Sequence, residues 1–250
     1  MVKLGGSTLG AHDTSLRDIA AASRDGQRIV VVHGGGATIN AWLARVGIEA
    51  TFVRGLRVTD AASLDVVVAV LAGIVNTQLV AELNALGAHA VGLSGADGGM
   101  LRARRFDAEL GFVGQMESVD PRPLVDLLNR GYVPVVAPIA IEAGSAQLLN
   151  TNADTAAGEI AAALHAGRLV FLTDVAAVLD AQKRPLKHLT SAEANALIGS
   201  GAAARGMIPK LEAAIRAASA GCETHIVNGT SADAVARVLA GDGGGTTVGR

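Results

Sequence analysis

Apolar residues along the chain follow two alternating patterns. Four short segments are apolar and rich in β-branched residues: Arg28–Val32, Tyr132–Ala137, Leu169–Leu172 and Thr224–Val227. Runs that are apolar throughout, without alternation, are typical of parallel strands covered on both faces. These segments therefore predict strands of a buried, mainly parallel sheet.

Between these runs, apolar residues recur at helical spacing. The predicted helices are Ala61–Leu86, Pro121–Asn129, Ala153–Ala166, Pro209–Ala220 and Ala232–Leu239. Asp60 and Ser231 precede two of them as N-caps, and Pro209 suits a first helical turn. Strands that alternate with helices indicate βαβ crossovers and an open α/β sheet.

One stretch departs from this alternation. Residues Leu101–Gly114 alternate polar and apolar positions and contain glycine, which predicts a small antiparallel hairpin. No Pro/Ser-rich linker divides the chain. We expect a single domain of two lobes, 1–144 and 145–250, that meet near Ala143-Gly144-Ser145.

Composition narrows the class of protein. The 250 residues are 50% hydrophobic and 18% charged, with a net charge of -2 and 2% aromatics, so neither disorder nor a nucleic-acid partner is expected. Cys222 is the only cysteine, which suits a cytoplasmic protein. The chain opens on no signal peptide, and its longest apolar run, Val66–Val75, is too short to span a bilayer. No membrane partner is expected.

Glycine is concentrated after predicted strands. The segments are Gly5-Gly6, His33–Gly36 and Gly92–Gly99. Glycine turns at the carboxyl ends of strands expose backbone N–H groups to anions, and ligands of open α/β sheets bind at that edge. Each turn taken alone is also compatible with a plain tight turn. Neither the P-loop pattern nor G-x-G-x-x-G occurs.

Two lysines stand in unusual places. Lys3 lies between apolar neighbours before Gly5, where a buried ammonium group requires an anion. Lys210 lies in the first turn of a predicted helix, where the helix dipole favours negative charge. A nearby phosphate group would explain both positions, although Lys210 alone also fits a solvated surface lysine.

Asp154 and Arg57 are candidates of a second kind. Asp154 lies at a strand-to-helix turn and by itself fits a helix cap. Arg57 precedes the long predicted helix, and its guanidinium group suits a carboxylate, although an isolated arginine is more often a surface residue.

In this order and spacing, seven segments resemble the amino-acid kinase superfamily across nearly the whole chain. They are Lys3–Gly6, His33–Gly36, Gly55–Asp60, Gly92–Gly99, Asn150–Asp154, Thr173–Val175 and Gly206–Lys210. The resemblance implies a three-layer αβα sandwich with a central, mainly parallel open sheet, as in carbamate kinase-like folds. The motifs are most similar to the branch that phosphorylates the γ-carboxylate of N-acetyl-L-glutamate in arginine biosynthesis.

The resemblance also implies roles for individual residues. Lys3, Lys210 and Asp154 match the catalytic group; Gly35, Gly36, Arg57 and Asn150 match the acidic-substrate site; Gly5, Gly6, Thr173, Asp174, Gly206 and Met207 match the nucleotide site. ATP is the implied phosphoryl donor, with Mg²⁺ bound through its phosphates and no dedicated metal ligands. The lobe 1–144 would bind the acidic substrate and dimerise, and the lobe 145–250 would bind the nucleotide.

The expected partners are ATP, N-acetyl-L-glutamate and a second copy of the chain. Members inhibited by arginine carry an additional N-terminal helix that forms hexamers, whereas only Met1 and Val2 precede Lys3 here. We expect an arginine-insensitive homodimer. A hexamer in solution, or inhibition by millimolar arginine, would contradict this expectation.

Two alternatives stay open on sequence alone. One is a kinase of the same superfamily that acts on an aminoadipate derivative in lysine biosynthesis. The other is a non-catalytic metabolite sensor on the same fold, although retention of Lys3, Asp154 and Lys210 disfavours it.

Overall fold

The computed structural model describes residues 1–5, 14–204 and 206–249. The strands are β1 (Val2–Leu4), β2 (Val31–His33), β3 (Phe52–Val53), β4 (Leu56–Arg57), β5 (Ala90–Ser94), β6 (Leu101–Arg105), β7 (Val113–Val119), β8 (Val133–Ala137), β9 (Ile139–Glu142), β10 (Leu148–Thr151), β11 (Arg168–Thr173), β12 (Val178–Leu179), β13 (Pro185–Leu186), β14 (His188–Thr190), β15 (Glu223–Asn228) and β16 (Thr246–Gly249). The α-helices are α1 (Ser15–Arg24), α2 (Gly36–Arg45), α3 (Ala61–Val68), α4 (Asn76–Ala85), α5 (Arg122–Asn129), α6 (Ala153–Ala163), α7 (Ser191–Gly199), α8 (Ile208–Ser219) and α9 (Ala234–Ala240).

The main sheet has eight strands in the order β14-β16-β15-β11-β1-β2-β8-β5. Its central strands are parallel, and β16 runs antiparallel to β15. Strand β1 lies between β2 and β11, with Lys3 opposite Val32 and Phe171. The carboxyl ends of these three strands therefore share one edge of the sheet.

Two apolar cores cover the sheet. On one face, helices α1, α2, α3, α4 and α9 pack against side chains such as Leu4 and Val31; on the other, α5, α6, α7 and α8 pack against side chains such as Val32 and Phe171. Successive strand side chains point to opposite faces, so both faces must be covered. The predicted αβα sandwich with a mainly parallel sheet is confirmed.

The long predicted helix is continuous from Ala61 to Ala85, with a π-helical segment, Ala69–Val75, between α3 and α4. Asp60 caps it as predicted, accepting a hydrogen bond from the Ser63 N–H at 2.8 Å. The π-helical segment inserts one residue into the helical repeat and so changes the face that later residues present.

By length and composition this helix could cross a membrane, with a mean hydropathy of 1.9. In the fold it belongs to one of the two helical layers of the sandwich. Leu71, Leu79 and Leu83 are buried in the core, while Gln78 and Glu82 are exposed. An apolar helix that packs on a sheet can have the same length and hydropathy as a helix that spans a membrane.

Four strands form a second, smaller unit, a closed barrel in the order β10-β7-β6-β9. The predicted hairpin is present as the antiparallel pair β6 and β7, although β7 continues to Val119. Residues 143–145 lie in the turn that joins β9 to β10, so the predicted lobe junction falls within this barrel.

The predicted N-cap of the last helix is wrong. Helix α9 begins at Ala234, and Ser231 does not cap it. Its first N–H groups, those of Val235 and Ala236, donate instead to Oδ2 of Asp18 on α1, at 3.1 and 3.2 Å. A carboxylate distant in sequence thus accepts hydrogen bonds from N–H groups of the first helical turn, which have no partner within the helix.

Helices α6 and α8 approach closely at Gly158. A Cβ atom placed on Gly158 would lie 2.7 Å from the Ala213 carbonyl oxygen and 2.8 Å from its Cα. Backbone atoms of a packed helix have little freedom to move away, so only glycine fits between the helices.

We predict that Gly158→Ala lowers the free energy of unfolding by about 2 kcal/mol, because overpacking outweighs the roughly 0.5–1 kcal/mol gained in helix propensity. Urea unfolding would measure the change. Gly199→Ala at the end of α7 is the matched control, because nothing lies within 4 Å of its added Cβ. Equal stability of the two variants would contradict the close-approach argument.

Candidate active site

Lys3 is positioned by the alternation of side chains along β1. Val2 and Leu4 point into one core, so Lys3 points to the opposite face, where α6 and α8 pack. Its side chain is 8% exposed. A charged group so enclosed requires a partner of opposite charge.

The partner of Lys3 is Asp154, in the first turn of α6. This helix is capped by Asn152, whose side-chain oxygen accepts hydrogen bonds from the N–H groups of Asp154 and Thr155 at 2.8 and 3.1 Å. Because Asn152 performs the capping, the Asp154 carboxylate is free to face the lysines. The helix-cap interpretation of Asp154 is thereby replaced.

Lys210, in the first turn of α8, completes the group. Asp154 Oδ1 lies 2.8 Å from Lys3 Nζ, and Asp154 Oδ2 lies 3.0 Å from Lys210 Nζ. Lys210 Nζ also donates to the Gly206 carbonyl oxygen at 3.2 Å. One carboxylate thus fixes two ammonium groups from opposite ends of the chain, and the group keeps an excess positive charge that suits an anion.

The electrostatics agree with this arrangement. Burial by itself raises the pKa of Asp154, but the charges of Lys3 and Lys210 outweigh burial and hold the pKa below its ordinary value. Asp154 is therefore ionised at neutral pH. An ionised carboxylate between two cations orients them and is a poor proton acceptor.

The glycine turn after β2 lies at the same edge of the sheet. Gly35 is the N-cap of α2, and Gly36 is its first residue. A Cβ on Gly35 would lie 2.7 Å from Cδ2 of Leu71, so the long helix packs against the turn. The first N–H groups of α2 have no partner within the helix, and at this edge of the sheet they can bind an anion.

His33 and Asn76 connect this turn to the long helix. Asn76 follows the π-helical segment and is buried, with Nδ2 3.1 Å from His33 Nε2 and 2.8 Å from the Val135 carbonyl oxygen. His33 Nδ1 lies 2.9 Å from the Gly34 carbonyl oxygen, so it carries the proton. Burial lowers the pKa of His33 to about 4, so the ring is neutral at pH 7.

Arg57, on β4, is 8% exposed and has no carboxylate partner in the part of the chain that the structure describes. Its Nη2 donates to Asn40 Oδ1 at 2.6 Å and to the Gly36 carbonyl oxygen at 3.3 Å. The guanidinium carbon lies 4.7 Å from the centroid of the Phe52 ring. Nη1 is buried and has no hydrogen-bond partner among the described residues.

Asn150, on β10, is linked to Arg57 through Thr59. Asn150 Nδ2 donates to Thr59 Oγ1 at 3.1 Å, and Thr59 Oγ1 donates to the Arg57 carbonyl oxygen at 3.0 Å. The buried Thr59 therefore joins the two predicted substrate-binding residues.

The residues predicted for the nucleotide lie at the ends of β1 and β11 and at the start of α8. Gly5 follows β1, and Thr173 ends β11, with its hydroxyl donating to Asp174 Oδ1 at 3.2 Å. Gly206 and Met207 form the turn before α8. Gly6, also predicted, lies outside the described residues.

Several site residues were not predicted from sequence. Asn152 could have been found, since asparagine before an apolar helical run is a capping signal. Asn40 and Asn76 gave no signal, because their partners lie on other elements of the chain. Thr59 lies within the predicted segment Gly55–Asp60, but its contact with Asn150 spans 91 residues of sequence.

The chain is similar to known proteins over nearly its full length. The sequence model described as the amino acid kinase family matches residues 1–228. An acetylglutamate kinase of Dehalococcoides mccartyi is 42% identical over 99% of this chain and 93% of its own length. That of Parasynechococcus marenigrum is 47% identical over 92% of this chain and 81% of its own length.

Solved structures have a similar fold. The crystal structure of smu.665 from Streptococcus mutans is 27% identical, with a TM-score of 0.84 over 99% of this chain and 97% of that chain. N-acetylglutamate synthase from Neisseria gonorrhoeae, complexed with coenzyme A and N-acetyl-glutamate, is 25% identical, with a TM-score of 0.85 over all of this chain and 58% of that chain.

Asp154→Asn will lower the free energy of unfolding at pH 7 by about 3 kcal/mol, because two enclosed ammonium groups lose their counter-charge. The folded-state pKa of Asp154 is depressed, so its carboxylate stabilises the fold above the unfolded pKa of about 4 and loses this effect at lower pH. The stability difference between wild type and variant should therefore shrink between pH 5 and pH 3.

Urea unfolding at these pH values would measure that difference. Asp65→Asn, at an exposed position of α3, is the matched control and should change stability little at any pH. A difference between wild type and Asp154→Asn that is independent of pH would contradict the charge argument.

Proposed function

The chain belongs to the amino acid kinase family, and we propose on that basis that it transfers the γ-phosphoryl group of ATP to the γ-carboxylate of N-acetyl-L-glutamate, a step of arginine biosynthesis. Curated relatives that are 42–47% identical over at least 92% of the chain are acetylglutamate kinases. The product is an acyl phosphate, N-acetyl-L-glutamyl 5-phosphate.

The observation that carries this proposal is the convergence of Lys3 and Lys210 on Asp154. Phosphoryl transfer needs positioning and neutralisation of charge on the equatorial oxygens more than covalent participation by the enzyme. Two ammonium groups held in place by one carboxylate can contact the phosphoryl group in the transition state without moving. Asp154 acts here by holding the lysines.

The acceptor explains why no general base is needed. A carboxylic acid with a pKa near 4 is already ionised at neutral pH, so its oxygen attacks phosphorus directly. As that bond forms, the bond from phosphorus to the β,γ-bridging oxygen breaks, and ADP leaves with the electron pair. The ionised acceptor carries no proton that a base would have to remove. Neutral His33 and ionised Asp154 are therefore not needed as general bases.

The two substrates occupy different parts of the edge. Arg57, Asn150, Gly35 and Gly36 hold the acidic substrate in the lobe 1–144 and at the start of 145–250. The nucleotide lies against Gly5, Gly6, Thr173, Asp174, Gly206 and Met207, mainly in the lobe 145–250. Support comes from the shared edge on which β1, β2 and β11 end.

Mg²⁺ accompanies the nucleotide in this proposal. No group of three potential metal ligands occurs among the described residues, and a lysine contacts each oxygen of Asp154. These residues do not build a metal site of their own. The ion would be bound by ATP phosphates and water, and would supply neutralisation of phosphate charge.

We also propose a cytoplasmic homodimer. The long helix leaves small and apolar side chains on its outer face, with Ala69, Gly73 and Ile74 exposed beside the buried Val70 and Leu71. This face lies on the lobe 1–144. Analytical ultracentrifugation would test the dimer, and a monomer or hexamer would contradict it.

The substrate assignment predicts the outcome of a coupled ADP-release assay. N-acetyl-L-glutamate should give a kcat/KM at least roughly 100-fold above those of an aminoadipate derivative, glutamate and UMP. Preference for the aminoadipate derivative would support the lysine-pathway alternative. Binding of ATP and N-acetyl-L-glutamate without turnover would support a sensor.

Lys210→Ala should lower kcat roughly 10²–10³-fold with a smaller effect on both KM values, because one donor to the transition-state charge is lost. Lys187→Ala, at an exposed position, is the control and should retain wild-type activity. A kcat for Lys210→Ala within a few-fold of wild type would exclude the proposed role.

A further inference from the structure

Arg57 carries a buried positive charge whose contacts within the described chain are all uncharged. They are the Phe52 ring, the Gly36 carbonyl oxygen and the Asn40 side-chain oxygen. Burial lowers the pKa of Arg57, as expected where no anion compensates a guanidinium group. An uncompensated buried charge is costly, so its natural partner is a ligand anion.

The guanidinium group is held at one nitrogen. Nη2 makes both hydrogen bonds, at 2.6 Å to Asn40 Oδ1 and 3.3 Å to the Gly36 carbonyl oxygen, while Nη1 makes none to any residue that the structure describes. Gly36 and Asn40 are one turn apart on α2, so the first two turns of one helix hold Nη2. This anchoring fixes the orientation of the group and leaves donors for a carboxylate.

The hydrogen bond to Asn40 is the shorter of the two and the only one of them accepted by a side chain. Residue 40 can therefore be substituted without changing the backbone. An amide oxygen is a neutral acceptor: it orients the guanidinium group and leaves its charge intact. An aspartate carboxylate has nearly the same shape and would accept the same hydrogen bond more strongly. It would also neutralise Arg57.

We propose that Asn40 is a positioning and specificity residue for the acidic substrate: its neutral amide holds Arg57 in place and preserves the positive charge that the substrate carboxylate requires. This inference rests on the proposed function, because it takes the substrate carboxylate as the missing counter-ion of Arg57. It further requires that residue 40 accept a hydrogen bond and carry no charge.

The test compares Asn40→Ala and Asn40→Asp. The affinity for N-acetyl-L-glutamate is measured by calorimetry, and KM values and kcat by ADP release. Asn40→Ala should weaken binding roughly five- to tenfold, because Arg57 loses one charge-assisted hydrogen bond. Asn40→Asp should weaken it roughly 50-fold or more, because the introduced carboxylate pairs with Arg57 and repels the substrate. The KM for ATP should stay within about twofold of wild type in both variants.

A purely structural role for Asn40 predicts the opposite order. Aspartate would then hold Arg57 at least as well as asparagine does, and Asn40→Asp would bind the substrate better than Asn40→Ala. That order, or wild-type affinity in Asn40→Asp, would overturn the proposal. Arg57→Ala sets the upper limit, with a loss of roughly 100-fold.

Two controls separate this inference from other effects. Asn129→Asp makes the same chemical change at the exposed end of α5, which leads into the opposite edge of the sheet, and should leave binding unchanged. Wild-type turnover of N-acetyl-L-glutamate tests the proposed function separately. If another carboxylate is the substrate, affinities for that carboxylate should follow the same order of variants, and a different order would overturn the role of Asn40.

Discussion

A carboxylate enclosed between two ammonium groups is the interaction on which the rest of the structure depends. Lys3, Asp154 and Lys210 are each too costly to bury alone, and their separations of 2.8 and 3.0 Å make the group tolerable as a unit. Its excess positive charge remains for a phosphoryl group. The fold must therefore bring β1 and the first turns of α6 and α8 close together.

The packing of the sheet and the helices brings these three elements together. The central position of β1 places Lys3 on the face covered by α6 and α8, and Gly158 allows these helices to approach closely. Asn152 caps α6 and so frees Asp154 for the lysines. Together these features fix the positions of the three charges, as phosphoryl transfer requires.

The two cationic parts of the site are treated differently. Lys3 and Lys210 share the counter-charge of Asp154, whereas Arg57 is held by neutral acceptors and has no counter-charge among the described residues. Charge that must stabilise a transition state benefits from a fixed position. Charge that must recognise an anionic substrate benefits from having no competing anion.

The sequence by itself determined the class of fold, the predicted strands and most helices, and the residues Lys3, Asp154 and Lys210 as candidates. It could do so because side-chain periodicity, caps and glycine turns are local signals. Only the tertiary structure decided that Asp18 caps α9, that a π-helical segment precedes the buried Asn76, and that Asn40 orients Arg57. The contacts of Asp18 and Asn40 join separate elements of the chain, and no local pattern of residues encodes which elements will meet.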